Sequence, residues 1–293
     1  MLPSRRQYLA AGAVALAAGP LLVAETPTAP KLKKAVKYGM VGVKGTPTEK
    51  FAVLKKLGFL GVEIDSPSGL KLDEIVAATK ETGILVHGVI DSVHWNDTLS
   101  SPSEDVRAKG LKALVGAIAD AKTVGADTVL LVPGVVNKDA TYDQCWERST
   151  AEVKKAIPAA EKAGVKIAIE VVWNNFITKP EQLVEYVDQF KTDTVGAYFD
   201  VSNMVKYGVQ PADWIRKLGK RMLKFDFKGF NNDLFKAGKN GWVDIGEGTE
   251  DWPEVLKALA EIKYTGWATA EVGSGDEKFL KGVGDKMDKV LGL

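Results

Sequence analysis

The segment Gly246–Val272 reads GEGTEDWPEVLKALAEIKYTGWATAEV and contains one complete unit of a pattern that decides the fold. Apolar residues recur at helical spacing from Trp252 to Ile262, and a short polar turn follows. An apolar, strand-like run then begins at Trp267. A helix that leads directly into a strand is the unit from which parallel α/β folds are built.

The same unit recurs along the chain from Val36 onward. Eight apolar runs are predicted as strands: Lys37–Val43, Gly61–Ile64, Leu85–Ile90, Thr128–Val132, Lys166–Val171, Gly196–Phe199, Leu223–Phe227 and Trp267–Val272. Eight amphipathic runs are predicted as helices: Glu49–Leu57, Leu72–Thr82, Glu104–Val124, Cys145–Ala163, Pro180–Phe190, Ala212–Leu218, Trp252–Ile262 and Lys278–Leu291. Eight alternations predict an α/β fold of the (β/α)8 TIM barrel type, which usually takes about 250 residues. An open, doubly wound sheet is the alternative, but the early GVKGTP stretch lacks its glycine-rich phosphate spacing.

The first residues have the features of an export signal. The motif SRRQYL at positions 4–9 resembles a twin-arginine signal, and an uncharged apolar run continues to Ala24. This run is shorter than the ~20 residues that span a bilayer, although an uncleaved anchor is the alternative. We therefore predict a signal peptide at residues 1–24, a polar linker at 25–35 and one catalytic barrel domain at 36–293. The expected location is the periplasm, with no stable membrane span once the signal is removed.

Composition limits the classes of partner and of metal site. The chain has 39 lysines and arginines against 38 acids, so its net charge of +1 gives no basic footprint for a nucleic acid. Cys145 is its single cysteine, which excludes an internal disulfide and a thiolate metal cluster. The only histidines are His87 and His94. Any metal site with three or more ligands must therefore consist mainly of carboxylates.

Four consecutive predicted strands place one acid each near the carboxyl end, where TIM barrels carry their chemistry. These acids occur in KIAIE, AYFD, KFDF and WATAE and are Glu170, Asp200, Asp226 and Glu271. Acids are unfavourable in strands, and four buried carboxylates would repel one another unless a cation lay among them. The pattern therefore predicts a divalent metal ion. The alternative is that they are ordinary strand-end residues or partners of lysines such as Lys228.

A second motif carries a family resemblance. The segment G-x-G-x-x-D-W, followed by Y-x-G-W and a final glutamate, comprises Gly246, Gly248, Asp251, Trp252, Tyr264, Gly266, Trp267 and Glu271. With the strand-end acids, it resembles the xylose isomerase-like TIM barrels. These include ketose 3-epimerases, sugar-phosphate isomerases/epimerases and the endonuclease IV branch. The resemblance extends over essentially all of the chain after the leader.

The resemblance implies that Glu170, Asp200, Asp226 and Glu271 hold one divalent ion. Asp226 stands where the family usually has a histidine, and Asn203 replaces a second one. An all-carboxylate set favours Mn²⁺ or Mg²⁺, with Zn²⁺ or Co²⁺ as alternatives. The endonuclease branch holds a zinc cluster with several histidines, and two histidines do not supply that cluster.

The resemblance also implies the chemistry: isomerisation or epimerisation of a small carbohydrate by proton transfer beside a carbonyl, through an enediolate. Glu170 and Glu271 would be the catalytic bases on opposite faces of the reacting carbon. One alternative is a metal-dependent lyase or hydrolase that cleaves a keto-glycoside by β-elimination. Another is a sugar-binding barrel without catalytic activity. The sequence is compatible with an oligomer.

Side chains near the other strand ends are expected to contact the substrate. Trp95 could stack on a sugar ring, and His94 could donate to a hydroxyl group or act as an acid. The full set of expected substrate contacts is Glu63, His94, Trp95, Asn174, Asn203 and Lys228.

Overall fold

The computed structural model describes residues 30–293, so the predicted signal peptide and most of the predicted linker lie outside the described residues. In this part of the chain the strands are β1 Lys33–Lys37, β2 Gly61–Ser66, β3 Leu85–Asp91, β4 Thr128–Leu131, β5 Lys166–Glu170, β6 Val195–Asp200, β7 Met222–Phe227, β8 Gly229–Phe230, β9 Trp242–Val243 and β10 Trp267–Ala270. The helices are α1 Pro47–Lys56, α2 Leu72–Thr82, α3 Glu104–Val124, α4 Tyr142–Ala163, α5 Pro180–Asp188, α6 Pro211–Leu218, α7 Asn232–Lys236, α8 Trp252–Glu261 and α9 Glu277–Leu291.

Eight of the strands form a closed parallel barrel in the order β1-β10-β7-β6-β5-β4-β3-β2. The predicted TIM barrel is therefore confirmed, and each predicted helix is present with ends that differ by at most three residues. Because all eight strands are parallel, their carboxyl ends meet at one mouth of the barrel. Among residues 30–293, no helix is long and apolar enough to cross a membrane.

The first strand lies elsewhere than the sequence pattern predicts. The apolar run Lys37–Val43 was expected to be a strand, but β1 ends at Lys37 and a short 3-10 helix, Tyr38–Met40, follows. The strand instead has the sequence KKAVK and begins inside the segment expected to be the linker. It pairs with β10 and with β2. Backbone pairing on both sides thus outweighs the low strand propensity of three lysines.

Helix ends follow local sequence signals. The side chain of Thr46 caps α1 in a reciprocal capping box with Glu49. Helices α2 and α3 are each followed by a glycine in the left-handed region, Gly83 at φ 81° and Gly125 at φ 80°. These stops turn the chain back toward the barrel, so each following strand starts at the opposite end from the mouth.

The main apolar core lies between the barrel and its helices, whereas the barrel interior is largely polar. Inside the barrel, the Tyr198 hydroxyl donates to Glu63 Oε1 over 2.9 Å, and His87 stacks on Trp267 with ring centroids 4.4 Å apart. Lys224 Nζ donates to Asp127 Oδ1 over 2.6 Å at the other end of the barrel. These contacts link polar side chains of the interior beneath the floor of the mouth.

Asp91, the last residue of β3, gives a stability prediction that depends on pH. Burial raises the pKa of Asp91 to about 7, although its carboxylate accepts a hydrogen bond from the Val93 backbone N–H. The folded protein therefore holds this proton up to about pH 7, whereas the unfolded chain releases it near pH 4. Stability from this group falls as the pH rises between these values.

We expect Asp91→Asn to increase the free energy of unfolding at pH 8 by as much as about 4 kcal/mol. The gain should shrink steadily as the pH falls toward 4. Urea unfolding at several pH values measures it, with exposed Asp139→Asn as the control. A gain that does not change with pH would contradict the burial of an ionisable Asp91.

Candidate active site

A cavity of about 720 Å³ opens at the barrel mouth, where the strands place their carboxyl ends. Its lining includes most of the predicted site residues: Glu63, His94, Trp95, Glu170, Asn203, Lys228 and Glu271. These side chains come from or follow β2, β3, β5, β6, β7 and β10, and only barrel closure brings them together.

The four predicted metal ligands converge at the floor of this cavity. Each offers one carboxylate oxygen, and the oxygens of Glu170, Asp200, Asp226 and Glu271 lie within 4.8 Å of one another. Asp200 pairs with Asp226 across β6 and β7, and both are fully buried. Asp200 Oδ1 accepts hydrogen bonds from the backbone N–H groups of Ser202, at 2.7 Å, and Asn203, at 2.8 Å. The turn after β6 thus fixes the orientation of this carboxylate.

Two lysines lie among the acids. Lys228 Nζ contacts Asp200 Oδ2 at 2.6 Å and also donates to Glu271. Lys37 Nζ lies 2.8 Å from Asp226 Oδ2 and 3.7 Å from Glu271 Oε1. The site therefore contains two cationic groups of its own beside the carboxylates.

Sequence reasoning does not identify Lys37 as a site residue. The apolar run after it suggested that the first strand begins at Lys37, whereas β1 ends there. A residue at the end of a barrel strand faces the mouth, and one at its start does not. The KKAVKYGM stretch contains a signal that could have identified Lys37. This lysine follows the apolar pair Ala35–Val36, as a residue at the end of a short strand would.

The environments of the two predicted catalytic glutamates differ. Burial, followed by repulsion from Asp226, raises the pKa of Glu170 well above its ordinary value. Burial acts in the same direction on Glu271, but Lys37 and Lys228 together lower the pKa of this carboxyl to about 2. Asp226 behaves like Glu170, because burial raises its pKa against the attraction of Lys37. The cluster thus has four carboxyl groups beside two lysines, and the raised pKa values favour the protonated forms of Glu170 and Asp226.

The donor set fits a divalent cation. Such ions bind oxygens at about 2.0–2.6 Å, so opposite ligands lie about 4–5 Å apart, in accord with the separations here. Within residues 30–293, Oδ1 of the buried Asp226 carboxylate has no hydrogen-bond donor, and Oδ2 has only the ion pair with Lys37 Nζ at 2.8 Å. Four carboxylates form a hard ligand set of the kind that magnesium and manganese prefer. These residues could therefore hold one divalent ion.

The wall beside the acids carries His94 and Trp95. His94 is buried, and its Nδ1 accepts a hydrogen bond from the Val132 backbone N–H at 3.4 Å. Burial lowers the pKa of His94 to about 4, so the ring is neutral near pH 7 and presents Nε2–H as a donor. Trp95 is about half exposed at the rim of the cavity. This arrangement favours the hydrogen-bonding role expected for His94 over its role as an acid.

Asn174 does not line the cavity, contrary to the sequence-based expectation. Its Nδ2 donates to the Gly134 carbonyl over 2.7 Å, and its Oδ1 accepts from the Phe176 backbone N–H over 3.1 Å. The amide therefore joins the loops after β4 and β5 and is not free for a substrate. Asn203 does line the cavity. Its carbonyl accepts a hydrogen bond from Trp173 Nε1 at 2.7 Å.

The long segment between β7 and α8 forms an aromatic wall. Its strands β8 and β9 pair as an antiparallel hairpin around α7. Trp242 of β9 stacks on Trp173 with centroids 5.0 Å apart, and both rings line the cavity. Lys228 Nζ lies 5.4 Å from the centre of the Trp242 ring. Apolar ring faces beside carboxylates and lysines are suited to a molecule with both polar and apolar surfaces.

Comparisons with known proteins agree with this architecture. The L-ribulose-5-phosphate 3-epimerase of Salmonella paratyphi A is 24% identical over 229 residues, which cover 74% of this chain and 79% of that protein. The Escherichia coli 3-keto-D-glucoside 4-epimerase structure superposes with a TM-score of 0.75 at 18% identity, covering 90% of this chain and 100% of that one. The D-psicose 3-epimerase of Clostridium cellulolyticum H10, solved with D-tagatose, gives a TM-score of 0.72 at 21% identity, covering 88% and 98%.

The family described as the xylose isomerase-like TIM barrel matches residues 51–288, which is more than half of the chain. This match agrees with the closed barrel of alternating strands and helices. The protein therefore belongs to the xylose isomerase-like TIM barrel family.

Proposed function

We propose that this protein is a divalent-metal-dependent sugar isomerase or epimerase that transfers a proton beside a carbonyl group, through an enediolate. The observation that carries the proposal is the convergence of Glu170, Asp200, Asp226 and Glu271 on one floor of a sugar-sized cavity. Relatives named as epimerases of L-ribulose 5-phosphate, D-psicose and 3-keto-D-glucoside support this assignment.

The proton transfer is assigned to Glu170 and Glu271. They lie on β5 and after β10, which are separated by two strands around the barrel, and both line the cavity. A substrate carbon between them would present opposite faces to the two carboxyl groups. One glutamate then removes the proton and the other returns one, which inverts the stereocentre. A single glutamate that moves the proton between adjacent carbons would give isomerisation instead.

Glu170, Asp200, Asp226 and Glu271 would hold the metal ion, for which we propose Mn²⁺ or Mg²⁺, with Zn²⁺ or Co²⁺ as alternatives. When bound, the ion supplies positive charge that polarises a carbonyl group. Lys228 and the His94 Nε2–H group would orient substrate oxygens from the sides, while Trp95 covers an apolar ring face. Glu63 accepts a hydrogen bond from the Tyr198 hydroxyl, and its Oε2 lies 3.6 Å from Lys37 Nζ. Glu63 therefore helps to position Lys37 at the floor of the first cavity.

Solvent deuterium exchange tests this function. The protein, loaded with Mn²⁺, is incubated in D₂O with D-tagatose, D-psicose, D-fructose and methyl 3-keto-glucoside. We expect deuterium to enter beside the carbonyl of at least one sugar, detected by NMR, and EDTA to remove the activity. Absence of exchange with every sugar, despite a bound ion, would contradict the proposal and favour a sugar-binding barrel without catalytic activity.

The second candidate is a metal-dependent lyase or hydrolase that cleaves a keto-glycoside by β-elimination. Similarity to a barrel that acts on a 3-keto-D-glucoside favours it. Both candidates share removal of a proton beside the carbonyl. Release of the aglycone from an aryl 3-keto-glucoside, with deuterium exchange, would assign the protein to the lyases, whereas exchange without release would assign it to the epimerases.

The location follows from the leader. We propose export to the periplasm through the twin-arginine motif at positions 4–9, followed by cleavage near Ala24. Replacing Arg5 and Arg6 by lysines should keep the protein in the cytoplasm, as cell fractionation would show. Unchanged location of this variant would contradict the proposal.

A further inference from the structure

A second cavity of about 840 Å³ adjoins the first. It lies between the β8–β9 hairpin and helix α9, and four residues line both cavities: Lys228, Trp242, Glu271 and Val272. These four residues therefore form the boundary that the two cavities share. A ligand long enough to extend past Glu271 and Trp242 would reach from the first cavity to the second.

The second cavity is apolar where the first is charged. Its further lining includes Val243, Ile245, Phe279 and Val283, together with glycine backbone. Trp242 and Phe279 leave 38% and 37% of their surfaces exposed, although large apolar side chains are usually covered. Among the charged residues of its lining, Lys286 contacts Asp244 and Asp276 caps α9, and Lys278 adds one exposed cation at the edge. The remaining surface is suited to an apolar, ring-shaped group.

We infer that the substrate is a keto-glycoside, with the carbonyl on its sugar ring, whose apolar or aromatic aglycone binds in this second cavity. The inference rests on the proposed function, which places the sugar ring among the carboxylates of the first cavity. The aglycone occupies the space between Trp242 and Phe279, and Val283 contributes to the floor. A free monosaccharide would leave this apolar surface uncovered.

Gly282 of helix α9 offers a direct test of the inference. It lines the second cavity, and a Cβ added there would meet nothing within 4 Å. The Cβ of Gly282→Leu therefore meets no neighbouring atom, and the rest of the leucine side chain should fill space in the cavity. Gly116 of helix α3 is the matched control, because its Cβ position is also open and the residue is exposed. Both replacements favour helix, so both variants should fold.

The experiment measures binding and does not depend on turnover. Phenyl and methyl D-glucopyranosides, in both anomeric forms, are titrated into the metal-loaded full chain by calorimetry and tryptophan fluorescence. We expect one phenyl glucoside to bind at least about tenfold more tightly than its methyl counterpart. Gly282→Leu should remove this difference, and Gly116→Leu should keep it.

The outcomes separate this inference from the proposed function. Equal affinity for phenyl and methyl glucosides, or no detectable binding of either phenyl glucoside, overturns the aglycone site even if ketoses exchange deuterium. A phenyl preference that persists in Gly282→Leu also overturns it, since the ring then binds elsewhere. A phenyl preference lost in Gly282→Leu, without deuterium exchange for any sugar, supports the site and contradicts the catalytic function.

Discussion

Replacing Glu271 by glutamine is expected to reduce solvent deuterium exchange at least about a thousandfold while the protein stays folded. Lys37 and Lys228 lower the pKa of Glu271 to about 2 despite its partial burial, so this side chain is a carboxylate at neutral pH. Glutamine has nearly the same shape but accepts no proton at that pH. The measurement is the exchange rate at saturating Mn²⁺, which compensates for a weakened metal ligand.

The matched control is Glu277→Gln. Glu277 lies at the start of α9, its side chain is 45% exposed, and it pairs with Lys56 at 2.6 Å. The Glu277→Gln variant loses the same charge as Glu271→Gln, but at a residue that does not line the cavity. Its rate of solvent deuterium exchange should therefore equal that of the unmodified protein. If Glu271→Gln retained full activity with a bound ion, the mechanism with two glutamates would be wrong.

The second large effect is expected on stability. Lys37→Met should reduce the free energy of unfolding in EDTA by about 3–5 kcal/mol at pH 8, because removal of one partner leaves buried charges uncompensated. Lys37 Nζ lies 2.8 Å from Asp226 and 3.6 Å from Glu63, and both carboxylates are fully buried. Added Mn²⁺ should stabilise the variant more than the unmodified protein, since the ion supplies charge that the lysine no longer provides.

Lys34→Met is the control for this effect. Lys34 lies on the same strand and its side chain is 11% exposed, close to the 12% of Lys37. Its partner Asp288 is 39% exposed, and such pairs contribute about 0–1 kcal/mol. Urea unfolding followed by circular dichroism compares the two variants. Equal losses for Lys37→Met and Lys34→Met would show that Lys37 does not balance the buried acids.

The acidic cluster shows how far sequence alone can reach. In a parallel barrel, each acid is located by its position near the end of its own strand, and every strand ends at the same mouth. Glu170, Asp200 and Asp226 could thus be assigned from the short strands that contain them, and Glu271 from the strand that it follows. The sequence also predicts that these acids need a positive neighbour, because several buried carboxylates repel one another.

Lys37 and Asn174 show where this reasoning fails. The position of Lys37 depends on pairing of β1 with β2 and β10, which are distant in the chain. Strand patterns record the local alternation of side chains and carry no information about such partners. Asn174 follows a strand-end glutamate, a position that predicts a substrate contact, but its amide donates to the Gly134 carbonyl of another loop. Hydrogen bonds between loops are set by tertiary packing.

The sequence by itself determined the barrel and the acids at its mouth. Helical and strand periodicities, and acids at the ends of apolar runs, are local properties of the chain. Only the tertiary structure decided that Lys37 joins those acids, that Asn174 braces a loop, and that the hairpin β8–β9 and helix α9 enclose a second cavity beside Glu271. These features depend on contacts between segments far apart in sequence, and such contacts exist only after the barrel closes.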